Sequence, residues 1–313
     1  MKPQRCALAL ILLVCVAAAR IEPGWSTARP LPEPIQELNA AVLDGKIYIA
    51  GGLGKNNAPT THAYRYDPNT DTWERIADLP DVRHRMPLAV VRDTLYAVGG
   101  MGAANPFMGQ STLWAYLRDQ NVWSPRAPLP IARGASGVAE VYGQLIVVGG
   151  LRFPALGGLA VATAIYDPAT NAWRKGAPIP TLRDHLTAQT VGGIVYAIGG
   201  RPVDPDRNYR IVEAYDPKTD RWSTKDSMPT ARADIGSTVV DGKIHVFGGE
   251  SRAGVFAEHE VYDPATNRWS TALPLPTGRH GIGVASLGDK IYVIGGAPRP
   301  MHGQTDVVEV FTP

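Results

Sequence analysis

Six times along the chain an apolar run ends in a glycine pair: Gly51-Gly52, Gly99-Gly100, Gly149-Gly150, Gly199-Gly200, Gly248-Gly249 and Gly295-Gly296. The spacings are 48, 50, 50, 49 and 47 residues. A period of this length filled with short strand-like runs points to blades of a propeller rather than to a helical solenoid. Within each unit two apolar runs flank a tight turn, as in AAVLDGKIYIAGG, where Asp44-Gly45 supplies the positive φ that a two-residue hairpin needs. A third run follows, ending in an aromatic, then a polar turn and a tryptophan, as in YRYDPNTDTW and EAYDPKTDRW. The aromatic-to-tryptophan distance is seven residues in five units: Tyr66 to Trp73, Tyr116 to Trp123, Tyr166 to Trp173, Tyr215 to Trp222 and Tyr262 to Trp269. Such regularity marks packing between blades, with the Asp-Pro of YDP shaping the turn. The last unit stops at VVEVFTP, one strand short, while the early segment PGWSTARPLP reads as a fourth strand carrying the missing tryptophan, Trp25. The expected architecture is all-β: a six-bladed propeller of four-stranded antiparallel blades, its last blade completed by the N-terminal strand.

The Gly-Gly, Tyr and Trp spacing comes with an arginine sixteen residues before the glycine pair in five units: Arg83, Arg133, Arg183, Arg232 and Arg279. This combination resembles the Kelch repeat family over residues 25 to 313. The second unit departs from the pattern with YLRDQNVW, and the first has Ile35 in place of the arginine.

Glycine (33) and proline (27) are abundant in the 313 residues, which suits many short strands joined by turns. Lys2 and Arg5 precede an apolar run from Cys6 to Ala19 that ends in three alanines. This predicts a secretory signal peptide over residues 1–19, too short to span a membrane, followed by a single propeller domain over 20–313. A lipid anchor on Cys15 is the rival reading, and Val14 before it is larger than such signals use. Without the leader, Lys+Arg falls from 31 to 29 against 29 Asp+Glu, so the mature chain is formally neutral. Neither nucleic acid nor membrane insertion is expected of a neutral domain, and localisation is expected to be secreted or periplasmic. Both cysteines, Cys6 and Cys15, lie in the leader, which removes disulfides, thiolate metal sites and cysteine nucleophiles from the expected mature protein.

Repetition separates scaffold from site. Gly248-Gly249 leaves a strand in a context repeated six times, whereas a phosphate cradle enters a helix N-terminus, so the glycine pairs read as structural. The five arginines read as scaffold too, bonding carbonyls between blades, and the tryptophans and tyrosines read as core, with Trp114 outside the repeat register. His245, at a position held by tyrosine in other units, reads as a packed histidine.

Strand direction puts the loops from strand two to three and from strand four to the next blade on one face, and these loops carry the variable insertions. Immediately after the arginine position come Gln36-Glu37, His84-Arg85, Gly134-Ala135, Asp184-His185, Ala233-Asp234 and His280-Gly281, so unrepeated titratable residues ring the expected channel mouth. The candidate ligand-binding set is Glu37, His84, Arg85, Asp184, His185, Asp234, Glu250, Arg252 and His280. The leading functional reading is a monomeric, non-enzymatic module that takes a protein or glycan ligand on this face, without cofactor or metal. His84, His185 and His280 lack the local ligand spacing that a zinc or copper site would show.

The alternative is an enzyme acting on sugars. Exported six-bladed Kelch proteins include the sialic-acid mutarotase (N-acetylneuraminate epimerase) family, and GGESRAGVFAE resembles its loop. That resemblance makes Glu250 the candidate acid/base, with His185 or His280 as partner. The family's arginine six residues further on is replaced by Phe256, with Arg252 the nearby cation.

Overall fold

The turns expected after the first run of each unit form because Asp-Gly and its equivalents accept left-handed backbone. Asp44 and Gly45 have φ of 50° and 67°, and Asp241 and Gly242 have 49° and 71°. The computed structural model describes residues 22–102, 108–153, 158–204 and 206–313. The expected leader, its cleavage point after Ala19 and both cysteines lie outside the described residues. Six four-stranded antiparallel sheets form a ring. Blade one comprises Ala40–Leu43, Lys46–Ala50, Ala63–Asp67 and Thr72–Arg75, innermost strand first. Blade six comprises Gly283–Leu287, Lys290–Ile294, Val308–Thr312 and, from the other end of the chain, Gly24–Thr27, with Trp25 opposite Phe311. Among the described residues no helix is long and apolar enough to cross a membrane.

The seven-residue spacing from tyrosine to tryptophan has a specific cause. In blades one to five the tyrosine hydroxyl donates to an Asp or Asn five residues on, as Tyr116 does to Asn121 at 2.7 Å and Tyr215 to Asp220 at 2.6 Å. The same carboxamide or carboxylate accepts the N–H of one residue at the exit of the preceding blade, and the tryptophan indole donates to that residue's carbonyl. Ala77 is held in this way by Asn121 and Trp123, both at 2.8 Å. Blade two therefore keeps the clamp although it lacks the YDP turn. At the seam Trp25 donates to Leu273 O at 3.4 Å, and Arg29, just beyond the closing strand, is clamped by Asp71 and Trp73 of blade one.

The glycine pairs serve inter-blade contact. The second glycine of each pair donates to the carbonyl at the next blade's arginine position, as Gly150 does to Arg183 O at 2.9 Å. Gly249 has φ of 111°, and a Cβ there would stand 2.7 Å from Ala233 O, so only glycine fits.

The arginine side chains correct the expectation that they bridge blades. They bond carbonyls of their own blade: Arg183 donates to Gly199 O at 2.8 Å and Ala197 O at 3.0 Å, and Arg232 to Gly248 O at 2.7 Å. Three of them meet a buried glutamate two residues before the strand-three aromatic: Arg183–Glu213 at 2.5 Å, Arg232–Glu260 at 2.7 Å, and Arg279–Glu309. Trp114, far from being out of register, occupies that glutamate position in blade two, and Arg83 stacks on its ring at 4.9 Å. Blade three has Ala164 there, and burial lowers Arg133 to about 10, helped by Arg152. Blade one, lacking the arginine, places Ile35 and Tyr64 together in one apolar cluster, with the Tyr64 hydroxyl donating to Glu33 at 2.7 Å. The blades thus carry matched pairs at two positions that are adjacent in space.

His245 is packed, as expected, against His259, their Nδ1 and Nε2 2.9 Å apart; His259 Nδ1 donates to Leu273 O at 3.1 Å. Both rings lie near the aromatic cluster of Trp25, Phe247 and Phe311 at the seam. Burial, reinforced by Lys243 for His245 and by His245 for His259, lowers them to about 4 and about 3. The unfolded chain then takes up these protons first, near pH ~6.5. Stability is full above that pH and falls as pH drops toward 4, by up to ~1.4 kcal/mol per pH unit per histidine. Urea unfolding at pH 7 and pH 5 is expected to show this loss. It should shrink in His245→Tyr/His259→Val, which restores residues found at these positions in other blades; an unchanged slope would show that these histidines are not responsible.

Candidate functional site

On the face of the loops joining strands two to three and four to one, each blade builds the same small element. The residue after the glycine pair bridges the residue after the arginine position: Gln36 with Leu53, His84 with Met101, Gly134 with Leu151, Asp184 with Arg201, Ala233 with Glu250 and His280 with Ala297. One residue further inward, Glu37, Arg85, Ala135, His185, Asp234 and Gly281 all adopt left-handed backbone, with φ between 49° and 59°. Backbone N–H groups link them from blade to blade: Arg85 to Glu37 O, Ala135 to Arg85 O, His185 to Ala135 O, Asp234 to His185 O and Gly281 to Asp234 O, at 2.8–3.2 Å. Leu38 N closes the circle on Gly281 O at 3.3 Å. Left-handed backbone costs a residue with a Cβ ~1 kcal/mol, and glycine would relieve it. Only blade six uses glycine; four of the other five positions hold a titratable side chain.

Those side chains join into one buried network. Arg85 forks onto Glu37 with two bonds of 2.8 Å. His280 Nδ1 lies 2.7 Å from Asp234 and 3.9 Å from Glu37, while its Nε2 lies 3.1 Å from Arg299 O and 3.4 Å from Glu250. Glu250, only 3% exposed, accepts from Arg201 at 3.1 Å and from the Met301 N–H at 2.9 Å. Arg201 in turn stands 3.7 Å from Asp184, which bonds His185 Nδ1. Glu37, Arg85, Asp184, His185, Asp234, Glu250 and His280 are therefore brought together, across blades that are remote in sequence.

His84 is buried one position outside Arg85. Arg252 stands apart, two-thirds exposed and paired with Asp206 at 2.8 Å. The cation on Glu250 is Arg201 of the neighbouring blade, a residue absent from the candidate set read from the sequence. Its signal was available: it follows a glycine pair, in the same phase as Glu250.

The network's electrostatics follow from burial set against neighbours. Burial would raise Glu37, but Arg85, by charge and hydrogen bonds, and then His280 outweigh it and hold the carboxyl well below the usual range. Burial raises Asp184 to about 6 against Arg201 and Arg85, and raises Asp234 to about 6 with help from Glu37. For His280 burial is overcome by Asp234, Glu37 and Glu250, and the imidazole rises to about 9. His185 goes the other way, pushed well below its ordinary value by burial and then by Arg201 and Arg85. One histidine is thus a charged donor and the other a neutral ring at pH 7.

Three cavities adjoin the network. A volume of about 250 Å³ runs down the channel between the innermost strands, past Glu140, Thr187, Gln189 and Ser237. A neck of about 40 Å³ is encircled by all six ring residues. A third, of about 180 Å³, lies between Arg201, Glu250, Ser251, Arg252, Pro300 and Met301. Glu37, Asp234 and His280 place ligand atoms within 4.8 Å of one another. Arg85 already occupies Glu37 and His280 carries its own charge, so this trio is arranged as an ion-pair cluster more than as a cation site.

A model described as the KLHDC2/KLHL20/DRC7 Kelch-repeats domain matches residues 130–296, more than half of the chain, and the Kelch motif model matches residues 37–80. The chain belongs to the Kelch-repeat family. This Kelch propeller is 29% identical over 189 residues to Kelch-like protein terF of Aspergillus terreus, covering 56% of this chain and 40% of that protein. It is 31% identical over 181 residues to Kelch-like protein 36 of Bos taurus, covering 56% of this chain and 29% of that protein. The chain thus spans less than half the length of these relatives. Among solved structures, the one titled "Structure of YjhT" superposes with a TM-score of 0.77 over 90% of this chain and 96% of that one, at 16% identity, and so shares the Kelch propeller fold.

Proposed function

We propose that this Kelch propeller is an exported, monomeric recognition module that takes a protein or glycan ligand at the channel mouth, on the face of the ring. The observation that carries the reading is the ring itself: four titratable side chains retained at left-handed backbone positions where glycine would be relaxed, and tied into a network with Glu250 and Arg201. Residues that repeat from blade to blade are consumed by scaffold bonds, so the unrepeated ones are what distinguishes this face. Binding sites on rigid scaffolds are built this way, with polar groups fixed in advance by their neighbours. Kelch-like relatives support a module that binds protein partners, and the cavity beside Glu250 is of a size to take one ligand group. Export rests on the leader sequence and is tested by mass spectrometry of the secreted protein, which should begin at Arg20; a retained leader or a lipid on Cys15 would contradict it.

Mutarotation is the second reading, favoured by Glu250 and His280 at 3.4 Å. An anomeric hydroxyl would yield its proton to the carboxylate while the imidazolium protonates the ring oxygen as the ring opens, and the reverse steps close it on either face. Sugar anomer exchange by NMR, with wild type and Glu250→Gln against N-acetylneuraminate and common hexoses, separates the two readings. The binding module is expected to give no rate enhancement, and Glu250→Gln to weaken binding of any ligand by about tenfold. Enhancement lost in Glu250→Gln would replace the binding module by the enzyme.

A further inference from the structure

Two residues that line the neck cavity each carry a buried polar atom with no hydrogen-bond partner among the described residues: Ser136 Oγ and His185 Nε2. Ser136 is 7% exposed and His185 6%, so neither is served by bulk solvent. Asp184 bonds His185 Nδ1, which makes Nδ1 the protonated nitrogen and leaves Nε2, the atom without a partner, as an acceptor. Ser136 holds the position that follows the ring residue, where the other blades place Leu38, Met86, Leu186, Ile235 and Ile282. Blade three alone puts a hydroxyl there, next to Ala135, the one small non-glycine ring residue. The cavity of about 40 Å³ exceeds the ~10–15 Å³ that one water-sized group needs, and it is too small for a whole sugar ring.

An acceptor nitrogen and a hydroxyl on two residues that line a one-group cavity are complementary to a single hydroxyl. We propose that Ser136 and His185 together hold one hydroxyl group in the neck, the hydroxyl of a sugar ligand when one is bound and of water when none is. The group donates its proton to a hydrogen bond with His185 Nε2 and accepts one from Ser136 Oγ; no bond is made or broken. Asp184 is a positioning residue that fixes the tautomer. This deepens the glycan form of the proposed function and rests on it for the identity of the ligand. It assigns the deepest contact to one hydroxyl, with the rest of the sugar lying outward toward Arg201 and Glu250.

The first test needs no ligand. In sugar-free protein the His185 imidazole nitrogens, read by 15N NMR, are expected to show a protonated Nδ1 and a hydrogen-bonded, unprotonated Nε2, and Ser136→Ala should shift Nε2 toward a free acceptor. A proton on Nε2, or an Nε2 resonance indifferent to Ser136→Ala, would overturn the site. The second test titrates galactose, N-acetylglucosamine and N-acetylneuraminate into wild type and Ser136→Ala. Removing a buried hydroxyl that has no protein partner leaves folding stability unchanged or raised, while the affinity of the sugar that binds best is expected to fall at least tenfold. Equal affinity would overturn the ligand assignment. Binding of none of the three would overturn the glycan reading, and the nitrogen spectrum would still decide the hydroxyl site.

Discussion

Arg183→Ile is expected to destabilise the propeller by about 3–5 kcal/mol, because it leaves Glu213 buried and without its charge partner. Adding Glu213→Tyr should recover more than half of that loss. Blade one already shows this arrangement, with Ile35 and Tyr64 where blade four has Arg183 and Glu213. A pair of buried charges and an apolar pair of similar volume are close in stability, whereas half of a charged pair is not. Urea unfolding of the two single variants and the double variant gives the coupling directly. A double variant no more stable than Arg183→Ile would mean that the two positions are not exchanged as a unit.

Deleting residues 22–28 is expected to cost at least about 5 kcal/mol and to remove cooperative unfolding at ordinary temperatures. Trp25 packs on Phe311 at 5.0 Å and bonds Leu273 O, and loss of such an aromatic costs ~3 kcal/mol by itself. The deletion also strips the ladder from Val308–Thr312 and exposes a sheet edge. Because the closing strand joins blade six to both of its neighbours, Trp25→Ala alone should lose clearly less than the deletion. Calorimetry of the truncated chain decides: a melting temperature equal to that of the full chain would show that the seam does not hold the ring together.

The repeat was legible because packing acts locally. A clamp of tyrosine, Asp or Asn and tryptophan spans only seven residues, so it leaves a spacing that can be counted, and Gly-Gly marks a close approach where a Cβ would collide with the next blade's backbone. The glutamate partners were less visible, although Glu213, Glu260 and Glu309 each stand two residues before the strand-three aromatic. They were missed because three of the six blades hold Tyr64, Trp114 or Ala164 instead, and the pairing shows only when both positions are compared in space.

At the candidate site, composition around the ring was readable and direction was not. Each pair after the arginine position offered two residues to the channel, and the left-handed turn that chooses the second of them carries a glycine in only one blade. Arg201 and Glu250 lie 49 residues apart, on loops of adjacent blades. Their contact follows from the closure of the ring rather than from any local pattern. Ser136 was passed over because a serine between alanine and glycine reads as an ordinary turn until the neck around it is seen.

On the proposed function a ligand is bound at the unrepeated polar network and not at the opposite face of tight turns. The most direct measurement is amide chemical-shift mapping by NMR, with the tightest-binding member of a panel of peptides and the sugars named above. Shifts are expected to concentrate at Glu37, Arg85, His185, Asp234, Glu250 and His280. Shifts concentrated instead at the hairpin turns around Asp44-Gly45 and Asp241-Gly242, with the network residues unmoved, would contradict it.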